Sequence, residues 1–329
     1  MRCGVIIVNY KTSDLVADCL QSLRQAITPN CDQIVIVDNN SQDGSCEKLA
    51  KLIEMNNWDW ATLLPVTSND GFAAGNNAGV LFFKKKKVQF DCFLLLNPDT
   101  IVHKDAIYHL IEFLGQHPAT GIVGAQLYNA EGQPDSSSRR FPSVCSELDA
   151  GVRLGVVSNL LRKWKVALPF SDQAHPCDWV SGAAMMLRRE VFEQVGRMDE
   201  GFFLYFEEVD YCHRAKDKGW QVWLEPRSNV IHLEGAATGI RTARKRRGQY
   251  WYDSRRRYFI KHLGVIQWLL ADFLWAMGRL ILLARKALGL GGDTSGDPQC
   301  FMQDLLWGDL KAFVSGQFNL NRHNSFSQE

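Results

Sequence analysis

No two of the nine cysteines in this chain are spaced Cys-x-x-Cys, and they are scattered singly from Cys3 to Cys300. That pattern argues against a zinc knuckle or a disulfide framework, so a reduced, cytoplasmic protein is the expectation. A surplus of charge is also missing. Lys and Arg number 37 against 36 Asp and Glu, a formal charge of +1, so no global field recruits nucleic acid or anionic lipid. The opening MRCGVIIVNY holds an apolar run too short for the core of a secretory signal. The glycine-rich stretch NDGFAAGNNAG has neither the Gly-x-Gly-x-x-Gly spacing of a dinucleotide fold nor the Gly-Lys-[Ser/Thr] of a P-loop, which disfavours hydride and ATP chemistry. No Ser-His-Asp or Cys-His constellation and no internal repeat is visible.

What is present is an alternation of short apolar runs with helical patterns. A composition of 46% hydrophobic and 22% charged residues over 329 positions is that of a folded protein. GVIIV (4–8), QIVIV (33–37), TLLPV (62–66) and CFLLL (92–96) read as strands, each followed by polar residues. Between the first two, Leu15, Val16, Cys19, Leu20 and Leu23 recur at helical spacing behind Thr12 or Ser13 as N-cap. Leu49, Leu52 and Ile53 mark a second helix, and Ile107, Leu110, Ile111 and Leu114 a third. Such βαβ units predict a mostly parallel central sheet flanked by helices, with polar residues from four strand ends meeting at one edge. GQPDSSSRRFPS reads as a loop that can act as a lid, DWVSGAAMML as a strand, REVFEQVG as a short helix, and QVWL and NVIHL as two strand-like runs.

Several residues stand out, each with a competing structural role. Asp99, after the leucine run and Pro98, is either the N-cap of the next helix or a hard ligand for a divalent cation on a diphosphate. Asp38 either shapes the turn in VDNNSQDGS or accepts the imide N–H of a uracil or thymine ring. Gly71, Gly75 and Gly79, four apart, let a backbone or a ligand approach a helix closely. Glu207 and Glu208 are either the acidic first turn of a helix or, among Phe202, Phe203, Tyr205, Phe206 and Tyr211, a carboxylate tuned to take a proton. His232 on its strand is either structural or a metal ligand.

Taken together these motifs resemble a family 2 glycosyltransferase of the GT-A fold, in the bacterial rhamnosyltransferase branch, over roughly residues 3–262. VIIVNY and VDNNSQDGS match the first two strand ends, which implies base contacts from Asn9, Tyr10 and Asp38. NDGFAAGNNAG matches a segment that lines the nucleotide-sugar pocket, implicating Asn69, Gly71 and Asn76. LLLNPDT matches the Asp-x-Asp position, with Asn97 in place of the first Asp and Asp99 as the metal-binding one. The stretch from Ser181 to Trp220 resembles the acceptor region, where Glu207-Glu208 replaces a Glu-Asp pair. The resemblance makes Glu208 the base with Glu207 beside it, and His232 a second metal ligand. It further implies acceptor contacts from Gly182, Tyr205, Arg214 and Arg244.

The implied organisation is a GT-A domain over 1–262, divided into a nucleotide-sugar half (1–127) and an acceptor half (128–262), with a C-terminal helical extension over 263–329. The implied reaction is inverting, uses Mg²⁺ or Mn²⁺, and moves a sugar from dTDP-rhamnose or a UDP-sugar onto a saccharide or lipid-linked acceptor. Alternatives are galactofuranosyl, glucosyl or N-acetylhexosaminyl transfer, and a non-catalytic nucleotide-sugar binder. Residues 241–257 carry eight Arg or Lys against one acid, which suits a charged acceptor head; no recognition motif beside them supports nucleic acid. Residues 265–290 are apolar almost all round, with Asp272, Arg279 and Lys286 on one narrow stripe. That pattern fits a helix lying at a membrane interface, or a buried helix at a homodimer contact.

Overall fold

A computed structural model describes residues 1–29, 31–233, 245–294 and 297–316. The chain divides into two compact units, the first formed by 1–139, 167–203 and 207–239, the second by 140–166, 204–206 and 240–329.

The first unit opens with β1 (Cys3–Asn9), α1 (Ser13–Ala26), β2 (Gln33–Asp38), α2 (Ser45–Met55), β3 (Ala61–Pro65), α3 (Gly71–Lys84) and β4 (Cys92–Leu96). It continues through β5 (Thr100–Val102), α4 (Ala106–Gln116), β6 (Thr120–Tyr128) and β7 (Ser138–Arg139). The strands line up as β3-β2-β1-β4, all parallel, so the four runs read from the sequence are neighbours in one sheet. Every residue of β1 and β4 is buried, as strands covered on both faces require. Gly75 and Gly79 serve this packing: a Cβ there would stand 2.7 Å from Val8 and 2.4 Å from Ile6. The close approach they permit is of β1 to α3, not of a ligand.

The segment expected to be a lid is instead stitched to the sheet. Ser137 Oγ accepts from Leu127 N at 2.7 Å and from Gln126 Nε2 at 3.1 Å, and β7 pairs with β9 (Trp179–Val180). The single strand expected over DWVSGAAMML is broken at 181–183, giving β9 in the small sheet and, beyond the turn, β10 (Ala184–Arg188) in the large one. Strand β10 lies antiparallel between β4 and β6, so the sheet is mixed. After α7 (Arg189–Val195) and α8 (Glu207–Asp217), QVWL and NVIHL prove to be one strand, β11 (Gln221–His232). Its pairing with β6 skips from Glu225 to Asn229, because Pro226 has no N–H to donate and Arg227 turns back onto Glu225. Edge strand β5 pairs antiparallel with the end of β11, and the short β8 (His175–Cys177) pairs with it further back.

The second unit holds α5 (Val144–Val152), α6 (Gly155–Leu160), α9 (Gln249–Leu263), α10 (Val265–Ala287) and α11 (Phe301–Val314). A boundary at 262 therefore does not separate the units, since α5 from mid-chain and α9 pack with the C-terminal helices. Gly151 and Gly278 let α5 and α10 touch: a Cβ on Gly151 would meet Trp275 O at 2.4 Å. Half of the described basic run, three of six residues, is paired with acids here. Arg255 pairs with Asp272 at 2.6 Å and Glu147 at 2.9 Å, Arg256 with Asp309 at 2.6 Å, and Arg246 with Asp304. These arginines hold helices together and do not form a free patch.

Candidate active site

Asp99 is not a helix cap. Helix α4 starts at Ala106 behind Asp105, and Asp99 sits between the end of β4 and the start of β5. The pairing of Thr100 with His232 draws the two strand ends together, and Leu233 N donates to Asp99 O at 2.8 Å. As a result His232 Nε2 lies 3.3 Å from Asp99 Oδ1 and 3.4 Å from Asn97 Nδ2. Both Asp99 and His232 are largely shielded from water, at 3% and 12% side-chain exposure. One carboxylate oxygen and one imidazole nitrogen at this separation fit a divalent cation, because two ligands about 2.1 Å from an octahedral ion stand about 3 Å apart.

The turn that breaks β9 from β10 connects this pair to the glutamates. Asn97 N donates to Ala183 O at 3.0 Å, while a Cβ on the neighbouring Gly182 would be 3.5 Å from Glu208 Cβ and from Phe72. Gly182 thus forms the floor beneath Glu208. Glu207 and Glu208 open α8, and the structure puts Glu207 in the interior and leaves Glu208 half-buried. Burial, and after it the charge of Glu208, pushes Glu207 well above the usual carboxylate range. Adjacent acids in distinct surroundings are set apart in their readiness to hold a proton.

On the nucleotide side, the side chain of Asn9 has no hydrogen-bonding group left for a base. Its Nδ2 donates to Asp38 Oδ2 at 2.6 Å and Ser41 Oγ at 3.3 Å, and its Oδ1 accepts from Thr12 N and Oγ1. Through these bonds Asn9 positions Asp38 and the start of α1. Asp38 accepts from Asn9, Ser41 N and Ser41 Oγ. Cys46 is hydrogen-bonded to the same carboxylate, so its acceptor positions are taken up within the turn, and Asp38 is buried. Tyr10, next to Asn9 in sequence, is exposed, with Lys11 Nζ 5.1 Å from its ring centroid.

Asn69 Oδ1 accepts from Gly71 N at 3.2 Å, and Asn39 Nδ2 donates to Gly71 O at 2.9 Å. Gly71 has φ +94°, and a Cβ there would be 2.1 Å from Phe203 O, so only glycine fits. Asn76 is buried with Nδ2 on Phe72 O. Three positioning residues escaped the motif reading: Asn39, Ser41 and Asn77, the last of which clamps Met198 through Nδ2 to its O and Oδ1 from its N, both at 2.9 Å. Their signal was the doubled asparagines in DNNS and GNNA, which a turn also explains.

Of the expected acceptor residues described in the first unit, Gly182 lies beside Glu208. Arg214 spends its guanidinium on Asp210 Oδ2 at 2.8 Å and on the carbonyls of Val195 and Arg197, fixing the turn after α7. Tyr205 belongs to the second unit, where its ring lies 6.3 Å from that of Tyr250. Arg244 lies outside the described residues.

A mixed, mostly parallel sheet with a carboxylate–imidazole pair beyond one strand end and the polar side chains of Asn9, Asp38 and Asn69 beyond its neighbours has the GT-A-like arrangement. Residues 4–196 match Glycosyl transferase family 2, and the chain belongs to that family. It is 28% identical over 217 residues to the low-salt glycan biosynthesis hexosyltransferase Agl10 of Haloferax volcanii, a match covering 65% of this chain and 61% of that protein. It is 25% identical over 249 residues to the N-acetylglucosaminyl-diphospho-decaprenol L-rhamnosyltransferase of Mycobacterium tuberculosis, covering 71% of this chain and 77% of that protein. In fold it is similar to the mannosyltransferase PcManGT from Pyrobaculum calidifontis, solved with GDP-Man and Mn²⁺, with a TM-score of 0.56, 14% identity, and coverage of 98% and 88% of the two chains.

Proposed function

We propose that this glycosyltransferase moves L-rhamnose from dTDP-L-rhamnose onto a hydroxyl of a saccharide acceptor carried on a polyprenyl diphosphate, with inversion, in cytoplasmic assembly of a cell-surface glycan. The observation that carries the reading is the 3.3 Å approach of Asp99 and His232, with Glu208 set over Gly182 at the same turn. The relative named for rhamnosyl transfer to a decaprenyl-diphosphate sugar supports donor and acceptor class.

Asp99 and His232 would hold Mg²⁺ or Mn²⁺, which when bound neutralises charge on the departing nucleoside diphosphate. Asp38 fixes the turn at the end of β2 against which the base would lie, and Asn97 keeps His232 in place. Glu208 takes the proton of the acceptor hydroxyl as that oxygen attacks the anomeric carbon from the face opposite the diphosphate. Burial, and after it the charge of Glu208, raises Glu207 well above the usual carboxylate range, which sets it apart from the proton-accepting role given to Glu208. One displacement of this kind inverts the anomeric centre.

A UDP-sugar donor is the second reading, favoured by the relative named only as a hexosyltransferase and by an imide group that uracil and thymine share. A thermal-shift panel of dTDP-rhamnose, UDP-glucose, UDP-galactofuranose and UDP-N-acetylglucosamine with Mg²⁺ or Mn²⁺ tests both. A metal-dependent shift selective for dTDP-rhamnose and lost in Asp99→Ala supports the first. Selectivity for a UDP-sugar replaces it with the second, and no shift with any donor overturns both.

A further inference from the structure

The second unit carries a surface that the chemistry at Asp99 and Glu208 does not use. Helix α10, 23 residues long, meets the length and composition of a membrane span. It is nonetheless two-sided. Asp272 and Arg279 lie on the inward side, paired with Arg255 and Asp297, and a span would place both charges in hydrocarbon. Outward, Ile266, Leu270, Phe273, Met277, Leu280 and Ile281 follow helical spacing over about 22 Å of axis. All six are exposed, Ile266 by 80% and Phe273 by 58%.

Helix α11 repeats the arrangement. Trp307, Leu310 and Val314 face outward, Trp307 with 60% exposure, whereas Asp304 and Asp309 turn in to Arg246 and Arg256. Every acid of the two helices is therefore engaged within the unit. A water-facing helix shows the opposite order, acids out and leucines in. The charges at the margins are cationic: Arg285 and Lys286 in the last turn of α10, and Lys311 over the Trp307 ring at 5.3 Å.

We propose that this outward face of α10 and α11 docks on an anionic lipid bilayer, with the helices lying in the headgroup region and not crossing it. A second copy of the chain is a poorer occupant. In a twofold contact each apolar face meets itself, and the cationic margins would oppose one another with no acid on either helix to compensate. Phospholipid headgroups supply that negative charge, and acyl chains take up the leucines and aromatics. This inference stands independently of which donor sugar is used.

Flotation of the full chain with phosphatidylcholine vesicles, with and without phosphatidylglycerol, tests it. The wild type is expected to float with the anionic vesicles and more weakly with the neutral ones. Phe273→Glu combined with Met277→Glu is expected to lower vesicle affinity on the order of tenfold or more while the melting temperature holds, since each change adds charge to an already exposed position. Wild-type protein that stays at the bottom with both vesicle types overturns the proposal, as does a double variant that floats equally well. A concentration-dependent dimer in sedimentation equilibrium, abolished by the same variant in the absence of flotation, assigns the face to a second copy. The donor thermal shift reports separately on the Asp99 site.

Discussion

Asp99 Oδ1 and His232 Nε2 stand 3.3 Å apart although 133 residues separate them in the chain. The antiparallel pairing of β5 with the end of β11 brings them together, so the proposed cation site is a product of sheet topology. Asp99→Asn keeps the shape and removes the charge. We expect it to abolish the metal-dependent part of donor stabilisation, with the melting temperature of the free protein changed little. Calorimetry with Mn²⁺ and nucleotide diphosphate checks this, and undiminished metal-dependent binding in Asp99→Asn would refute the assignment.

Glu208→Gln removes the proposed acceptor of the hydroxyl proton and leaves the Gly182 floor untouched. Turnover should fall by about 10²–10⁴-fold while donor affinity changes little. The measurement is kcat against donor Kd in the same preparations, and equal losses in both would make Glu208 a binding residue.

Glu207 introduces a pH dependence of stability. Its folded-state pKa is raised, so the folded chain holds a proton that the unfolded chain has released above the ordinary carboxylate range. Stability contributed by this group therefore falls as pH rises from about 4.5 through the raised folded value. Denaturant unfolding from pH 5 to 9 should show a slope that flattens in Glu207→Gln, and an unchanged slope would assign the dependence elsewhere.

Gly71→Ala meets two obstacles, a φ of +94° and a carbonyl oxygen 2.1 Å from the new Cβ. Together they should destabilise the protein by about 2–5 kcal/mol and weaken donor binding through displacement of the Asn69–Gly71 turn. Gly44→Ala, which has a similar φ but open space around it, should cost only the backbone part, about 1–2 kcal/mol. Equal losses in the two variants would remove the contact with Phe203 from the explanation.

Arg255 is 2% exposed between Glu147 and Asp272. Its replacement by Ala leaves two inward carboxylates without their cation, and a loss of about 3–5 kcal/mol in the second unit is expected. Scanning calorimetry detects it as an earlier transition; a change within 1 kcal/mol would show the pair to be dispensable.

The strands of the nucleotide half and the residues at their ends were legible in the sequence because each depends on local pattern: apolar runs that stop at a polar residue, and helices with regular spacing. The same locality explains what the sequence left hidden. Nothing near Asn9 reveals that Asp38, Ser41 and Thr12 will occupy its amide, and nothing near Arg214 shows that two carbonyls before α8 will claim its guanidinium. The break between β9 and β10 was hidden because Ser181, Gly182 and Ala183 suit strand and turn alike.

Residue order alone determined the sheet-forming segments of the first hundred residues and an apolar helix with one charged stripe near the C-terminus. Tertiary structure decided which strand ends meet, which of two adjacent glutamates is buried, and which side of α10 faces water. Those outcomes depend on contacts between residues far apart in the chain, whose free energy of burial and pairing has no local signature.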